Sequence, residues 1–456
     1  MKRVDFDKGS IVKNILQASF PMLVAQMLNL LYNIVDRIFI ARIPGEGTAA
    51  IGGVGLCFSV ILMITAFTNL FGQGGSPLFA IERGRKRDGD ARKIMGLVWF
   101  LITAASVILT AALLIFAEPL LHLVGASDAE MKYSLPYMRI YALGTFCSMT
   151  SVGLNPFINA QGYFRAGMIS VVIGAAANIA LDPVFIFTLH MGVSGAALAT
   201  ILSQMLSALY TLHFLMRSAE LTLAMPDLQT IRRSGKQIGS ICSLGTAPFI
   251  MYFTNSMVAV VNNTLLAKLG SDLYVSSMTV ISSVRQIVDT PVMAVGEGSS
   301  PIISYNYGAG KPDRVVRAAG VMLLLQIGYC SAMWIFILKA PHVLAGIFTS
   351  DYRLLDVTAR AMRIYFNAFA FMALQYTGQT VFKSLNKKKR AIFFSLLRKA
   401  VIVIPLAYLL PYRFGMGTDG VFMAEPVSNV IGGSACFLTM LCTILPEMKR
   451  MKEGAA

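Results

Sequence analysis

Apolar residues run along the chain in long blocks separated by short polar stretches. Twelve blocks stand out, near 14–42, 51–80, 94–117, 136–158, 167–189, 192–216, 239–267, 274–303, 317–339, 360–383, 391–411 and 420–445. Crossing a bilayer takes roughly 20 such residues in a helix. Strands of a membrane barrel would alternate polar and apolar over about ten residues; these blocks are longer and more uniform. The pattern predicts an all-α membrane protein with twelve transmembrane helices. Composition agrees: 56% of the 456 residues are hydrophobic and only 14% charged, where a soluble chain carries about a quarter. Mean hydropathy is +0.66.

The net charge of +16 could point to nucleic acid, but no basic tract is interleaved with stacking aromatics. Lys and Arg instead gather in alternate loops. One side of the predicted topology collects 28 and the other 9, with Arg37 and Arg285 inside spans. The positive-inside rule then places both termini in the cytoplasm, in a multi-pass protein of the plasma membrane. No cleavable signal peptide is expected, because the first apolar run is too long for a signal core. The six cysteines all fall in apolar segments without a CxxC pair and read as small packing residues.

The chain repeats at about 225 residues. GQGGSPLFAIERGRKRDGDAR (72–92) aligns with GEGSSPIISYNYGAGKPDRVVR (296–317), and DRIFIAR (36–42) with NNTLLAK (262–268). Pro21 pairs with Pro248, Asn29 with Asn255, Arg165 with Arg390, and Gly195 with Gly420. Six spans separate equivalent points, so the halves share one orientation. The expected domains are an N-terminal six-helix bundle (1–216), a cytoplasmic linker (217–238) and a C-terminal six-helix bundle (239–456), the bundles pseudo-symmetric about an axis along the membrane normal. Such repeats belong to transporters that rock one half against the other around a central cleft. A monomer suffices for that arrangement.

Polar residues at membrane depth point to a site. Gln26, Asn29, Asn33 and Asp36 share one face of the first helix, and Arg37 points about 100° away from Asp36, toward the membrane interface or another helix. Asn178 and Asp182 share a face of the fifth helix, next to Pro183; Thr200 and Gln204 share one on the sixth. Two carboxylates, an amide and a hydroxyl suit Na⁺, or a proton shared between carboxyls. Spacing alone leaves open whether these faces meet, and whether Asp36 is a structural anchor instead. The second half keeps mostly amides, among them Asn255 and Asn262, with Asn262 standing where Asp36 does. Ion coupling is therefore assigned to the first half. The eighth helix departs from this, with Arg285, Asp289 and Glu297 roughly on one face; Arg285 and Asp289 read as a buried ion pair or as a gating or cation-binding element.

Other chemistry finds no support. YGAGKPD (307–313) lacks the spacing and Ser/Thr of a phosphate loop, the four histidines are isolated, and no GxSxG occurs. No catalytic constellation of a membrane enzyme is found, and no cofactor is expected beyond a coupling ion.

The chain resembles the MATE (multidrug and toxic compound extrusion) family, within a superfamily that also holds flippases. Twelve spans, the 6+6 repeat and EGSSPIISYNYGAGK (297–311) carry the resemblance over nearly the whole chain. It implies export of organic cations and drugs by antiport with Na⁺ or H⁺. It also implies a cation site in the N-terminal bundle at Asp36, Asn178, Asp182 and Thr200, with Tyr137 and Asn155 as neighbours. One branch of the family adds acidic residues on the seventh and tenth helices, which this chain lacks. The competing reading is a flippase or exporter of one endogenous amphiphile or lipid-linked precursor.

Overall fold

The computed structural model describes residues 3–43, 47–124, 126–349 and 351–453; Lys2, one of the basic residues counted above, lies outside them. Among the described residues the chain is helical and has no strand. With no water in hydrocarbon, the backbone must satisfy its own hydrogen bonds, and a helix does so within one segment.

Among the described residues, twelve long helical segments follow one another, with short helices at Leu228–Arg233 and Pro341–Ala345 between them. The first three are Ile11–Ala41, Gly47–Gly84 and Asp88–Leu123. The fourth breaks at Gly144 into Asp128–Leu143 and Thr145–Ala160. The fifth is Phe164–Pro183, continued by a π-helical turn at Val184–Thr188, and the sixth is Gly192–His213 with a similar turn at Phe214–Ser218. The seventh, eighth and ninth are Gly235–Leu269, Asp272–Gly308 and Pro312–Lys339. The tenth joins Tyr352–Tyr365 to Met372–Ser384. The eleventh runs through Lys388–Leu396, the π-helical Leu397–Val403 and Ile404–Arg413, and the twelfth is Gly417–Glu453. Among the described residues, nine of these are apolar and long enough to cross a membrane, by length and composition. The fourth and tenth fall short of that measure because each is broken into helices of 16 residues or fewer, and the eighth because polar and charged residues, among them Arg285 and Asp289, lower its hydropathy.

The chain forms two compact units. One holds the residues up to Asp5 with Val24–Gly245; the other holds Phe6–Leu23 with the residues from Thr246 onward. Apart from the one between Asp5 and Phe6, the boundaries fall inside the first and seventh helices, within three residues of the repeat prolines Pro21 and Pro248. Each unit has its own apolar core, around Phe79, Leu97 and Phe157 in the first and around Phe366, Phe369 and Phe422 in the second.

Small residues explain this partition, and they repeat with the sequence. In the first unit a Cβ on Gly74 would strike the backbone of Ile241 and Gly245, and one on Gly245 would strike the Leu70 carbonyl. In the second unit, Gly298 holds the same relation to Ser19, one repeat away. Helices in lipid associate through such close approaches. Gly245→Val is expected to lower the thermal midpoint in detergent clearly, because the obstacle is backbone and cannot rotate aside; overpacking costs about 1–3 kcal/mol even where side chains yield. An unchanged midpoint would show that the second and seventh helices tolerate separation.

The stretch 217–238 is docked on the first unit. Gln161 donates to the Leu221 carbonyl at 3.1 Å and accepts from the Leu221 N–H at 2.8 Å. Glu220 pairs with Arg3 at 2.6 Å and with Arg83. In the second unit the N-terminal segment is tied down by Lys311, whose Nζ lies 2.5 Å from Asp7, and by Arg314, which donates to the carbonyls of Phe6, Lys8 and Gly9. The hydrogen bond from Lys311 holds the Asp7 carboxyl below its ordinary range. A depressed carboxyl stabilises the docked state above its unfolded value of ~3.9 and loses that contribution as pH falls through the folded value. Amide exchange of the N-terminal segment should therefore accelerate below pH ~4 relative to the helix interiors, and Asp7→Asn should show the faster exchange already at neutral pH.

Candidate functional site

In the first unit, the fifth helix carries Asn178 and Asp182 one turn apart, and Asn178 Nδ2 donates to Asp182 Oδ1 at 3.2 Å. Both are buried, Asp182 completely. The next residue, Pro183, ends the α-helix, and the chain continues as a wider π turn. A proline lacks the N–H that the turn before it would use, and such turns recur at functional sites. Asp36 of the first helix brings its carboxyl within hydrogen-bonding reach of Asp182. The Tyr137 hydroxyl, from the fourth helix, reaches the Thr200 hydroxyl and lies close to Asp36. Thr200 donates to the Ala196 carbonyl at 2.9 Å, within its own helix, so its oxygen is left to accept, from the Tyr137 hydroxyl or from a cation. Tyr137 is held by stacking on Tyr141, with ring centroids 6.2 Å apart.

Residues from the first, fourth, fifth and sixth helices thus converge. Three buried oxygens at this point have no hydrogen-bond partner: Asp36 Oδ1, Asp182 Oδ2 and Asn178 Oδ1. Among the described residues, neither aspartate forms an ion pair. Arg37 turns instead onto the Phe58 ring of the second helix, 5.1 Å from its centroid. A cluster of oxygens without a matching cation is suited to a small hard cation or a proton, since unpaired buried acceptors are costly.

The other expected site residues lie elsewhere. Asn155 donates to the Gly167 carbonyl at 2.9 Å and to Ser170 Oγ at 2.7 Å, and accepts from Asn159; it ties the fourth helix to the fifth. Gln204 accepts from Ser151 Oγ at 2.9 Å, tying the sixth to the fourth. Along the first helix, Asn33 donates to the Asn29 carbonyl at 2.6 Å; Asn29 is exposed, and Gln26 and Asn33 are half-buried.

In the second unit, Asn255 is exposed while Asn262 is buried with its Oδ1 unpartnered. Arg285 does reach Asp289, Nε to Oδ2 at 3.2 Å, but that pair is part of a larger cluster. Arg285 also donates to Glu425 and to the Tyr365 hydroxyl, both at 2.6 Å. Glu425, from the twelfth helix, further accepts from Arg398 at 3.0 Å and from Lys399, which lies 3.0 Å from each of its oxygens. Arg398 donates also to Asn429 at 2.8 Å.

Sequence reasoning missed Glu425, Arg398 and Lys399 as site-like residues. The two cations lie inside the predicted span 391–411, yet charge counting grouped them with Lys383 and Lys387–Arg390 as one basic loop. The structure buries both on the π-helical segment of the eleventh helix. The signal for Glu425 was present: an acid followed by proline within an apolar run, as at Asp182–Pro183.

Comparison with known proteins agrees with this architecture. The MatE family model matches residues 21–184 and 248–409, once in each half. The multidrug export protein MepA of Staphylococcus haemolyticus (strain JCSC1435) is 23% identical over 411 residues, covering 90% of this chain and 89% of its own. MepA of Staphylococcus aureus (strain MSSA476) is 22% identical over 441 residues, covering 96% and 94%. Among solved structures, an outward-facing multidrug resistance MATE family transporter of the MOP superfamily superposes with a TM-score of 0.91 at 22% identity, over 99% of each chain. A MOP superfamily transporter from Pyrococcus furiosus gives 0.90 at 22% identity, over 98% of this chain and 99% of its own. With one family model matched in both halves, and the same fold found along nearly the full length, the chain belongs to the MatE family, the MATE multidrug efflux transporters.

Proposed function

We propose that this transporter exports amphipathic organic cations in exchange for Na⁺ or H⁺, and that the coupling ion sits at Asp36, Asn178, Asp182 and Thr200. The observation that carries the proposal is the pair of carboxyls from the first and fifth helices, within reach of each other and each with an unpartnered buried oxygen. Two bare carboxylates so placed repel; a proton between them, or Na⁺ held by their oxygens with the Asn178 carbonyl and Thr200 hydroxyl, relieves the repulsion. The occupant then ties the first helix to the fifth. An ion moves a conformational equilibrium only by binding one state better than the other, and a site shared between two helices gives that difference whenever the helices part. The staphylococcal relatives, described as multidrug export proteins, support drug-like cargo. The charge bias of the loops supports cytoplasmic termini.

The test is reconstitution in liposomes with a fluorescent cationic dye, under an imposed Na⁺ gradient or an imposed pH gradient. Dye movement under one gradient alone names the ion. Absence of movement under either, by a folded protein, would count against a multidrug exporter and for a single endogenous amphiphile or lipid-linked precursor as cargo.

A further inference from the structure

A second charged feature lies at the polar end of the second unit. The turn between the tenth and eleventh helices and the last turns of the twelfth enclose an open cavity of about 730 Å³. Its wall includes Lys387, Lys388, Lys389, Arg390 and Arg450 against one acid, Glu447. Glu447 is already engaged, accepting from Lys387 Nζ at 2.7 Å and from the Tyr307 hydroxyl at 2.8 Å. Lys388, Lys389, Arg390 and Arg450 form no ion pair among the described residues.

The fold does not need this concentration of charge. One repeat earlier, aligned on the turn's own hydrogen bonds, Tyr163, Phe164, Arg165 and Ala166 stand where Lys387, Lys388, Lys389 and Arg390 do. That turn has the same form, with a left-handed residue at Gly162 (φ 90°) matching the one at Asn386 (φ 57°). One basic residue suffices there. The excess in the second half therefore answers to something other than the turn.

Helix spacing shows what lies beneath the cations. On the eleventh helix, Phe393 is three to four residues past Lys389 and Arg390, on their face, and 56% exposed. On the twelfth, Leu438, Cys442, Pro446 and Arg450 follow one another at intervals of four; Cys442 is exposed and Leu438 is 58% exposed. Each helix thus presents a cationic end above uncovered apolar side chains, Phe393 on the eleventh and Cys442 and Leu438 on the twelfth. A free anion in water would use the first feature and not the second. An amphiphile with an anionic head and acyl chains would use both.

We propose that this cavity binds the phosphodiester headgroup of an anionic phospholipid, with Lys388, Lys389, Arg390 and Arg450 around the phosphate and the acyl chains along Phe393, Cys442 and Leu438. Basic pockets between membrane helices are recognised sites for such headgroups.

The test is native mass spectrometry of the detergent-purified protein titrated with phosphatidylglycerol, phosphatidylcholine or inorganic phosphate. Wild type should retain phosphatidylglycerol in preference to phosphatidylcholine. Replacing Lys388, Lys389, Arg390 and Arg450 together by Gln should weaken phosphatidylglycerol binding at least about tenfold, since basic side chains near the surface hold anionic headgroups by charge. Arg85→Gln/Lys86→Gln/Arg87→Gln, which removes a comparable basic run elsewhere, should leave binding unchanged. Arg450→Gln alone, at the exposed end of the twelfth helix, should weaken it by a smaller factor and covers the case in which the fourfold variant does not fold. Equal retention of the two lipids, equal loss in the control variant, or displacement of phosphatidylglycerol by an equal concentration of phosphate would each overturn the proposal.

Discussion

Asp36→Asn and Asp182→Asn are each expected to reduce gradient-driven dye transport to the level of empty liposomes while the protein remains folded. The amide has the shape of the carboxylate and can still accept a hydrogen bond, so Asn178 Nδ2 keeps an acceptor at position 182. What disappears is the capacity to exchange a proton or to neutralise Na⁺. Removing a charge from a buried position also removes its desolvation cost, so the thermal midpoint in detergent should stay level or rise. Loss of transport without loss of stability separates an ion site from a structural anchor. The double variant should be no worse than either single one, because in the proposed site both carboxyls share one occupant and their effects overlap. Thr200→Val divides the two ions: it deletes a hydroxyl ligand of Na⁺ but no group that carries a proton, so it should weaken Na⁺-driven transport well beyond H⁺-driven transport. Undiminished dye movement in Asp36→Asn would sink the coupling site and leave Asp36 as a helix anchor.

What the sequence allowed, and what it did not, follows from the range of the forces involved. Span number and class were legible because burial in lipid is decided residue by residue, and the apolar blocks announce it. The observed helices run further than the apolar blocks, as in Gly417–Glu453 against 420–445, because their ends extend into polar surroundings where hydropathy gives no signal. The meeting of Asp36 with Asp182 could not come from spacing, which places residues on a face but does not say which faces touch. The family resemblance supplied that link, and the structure brings the two together. It does not bring Asn155 there; a polar residue at depth also serves where two helices need a bracket, and Asn155 with Ser170 is one. The unit boundaries inside the first and seventh helices were hidden for a similar reason. Gly74, Gly245 and Gly298 read as ordinary small residues until their backbone neighbours are known.

The second unit yields the largest expected loss of stability. Glu425 is 2% exposed and is the acceptor shared by Arg285, Arg398 and Lys399. With Asp289, two carboxylates face three cations, so the cluster already carries an excess of positive charge if all are ionised. Glu425→Gln keeps the side-chain volume but leaves these cations with Asp289 as their only carboxylate among the described residues, and Asp289 contacts only Arg285 of the three. Breaking a buried pair from one side costs roughly 3–5 kcal/mol, because an uncompensated charge stays behind. The expected result is poor recovery of monodisperse protein and a sharply lowered thermal midpoint, in contrast to the neutral or favourable effect of Asp36→Asn. Charge explains the loss better than shape if a second substitution repairs it. Lys399→Met in the Glu425→Gln background removes one cation, restores the original excess and fills the space with an adaptable apolar chain. It should recover a large part of the midpoint, while Lys399→Met alone should cost less than Glu425→Gln, since Arg285 and Arg398 still engage the carboxylate. A Glu425→Gln protein as stable as wild type would mean that water, not Glu425, compensates these cations, and the cluster would then have to be understood as a hydrated surface.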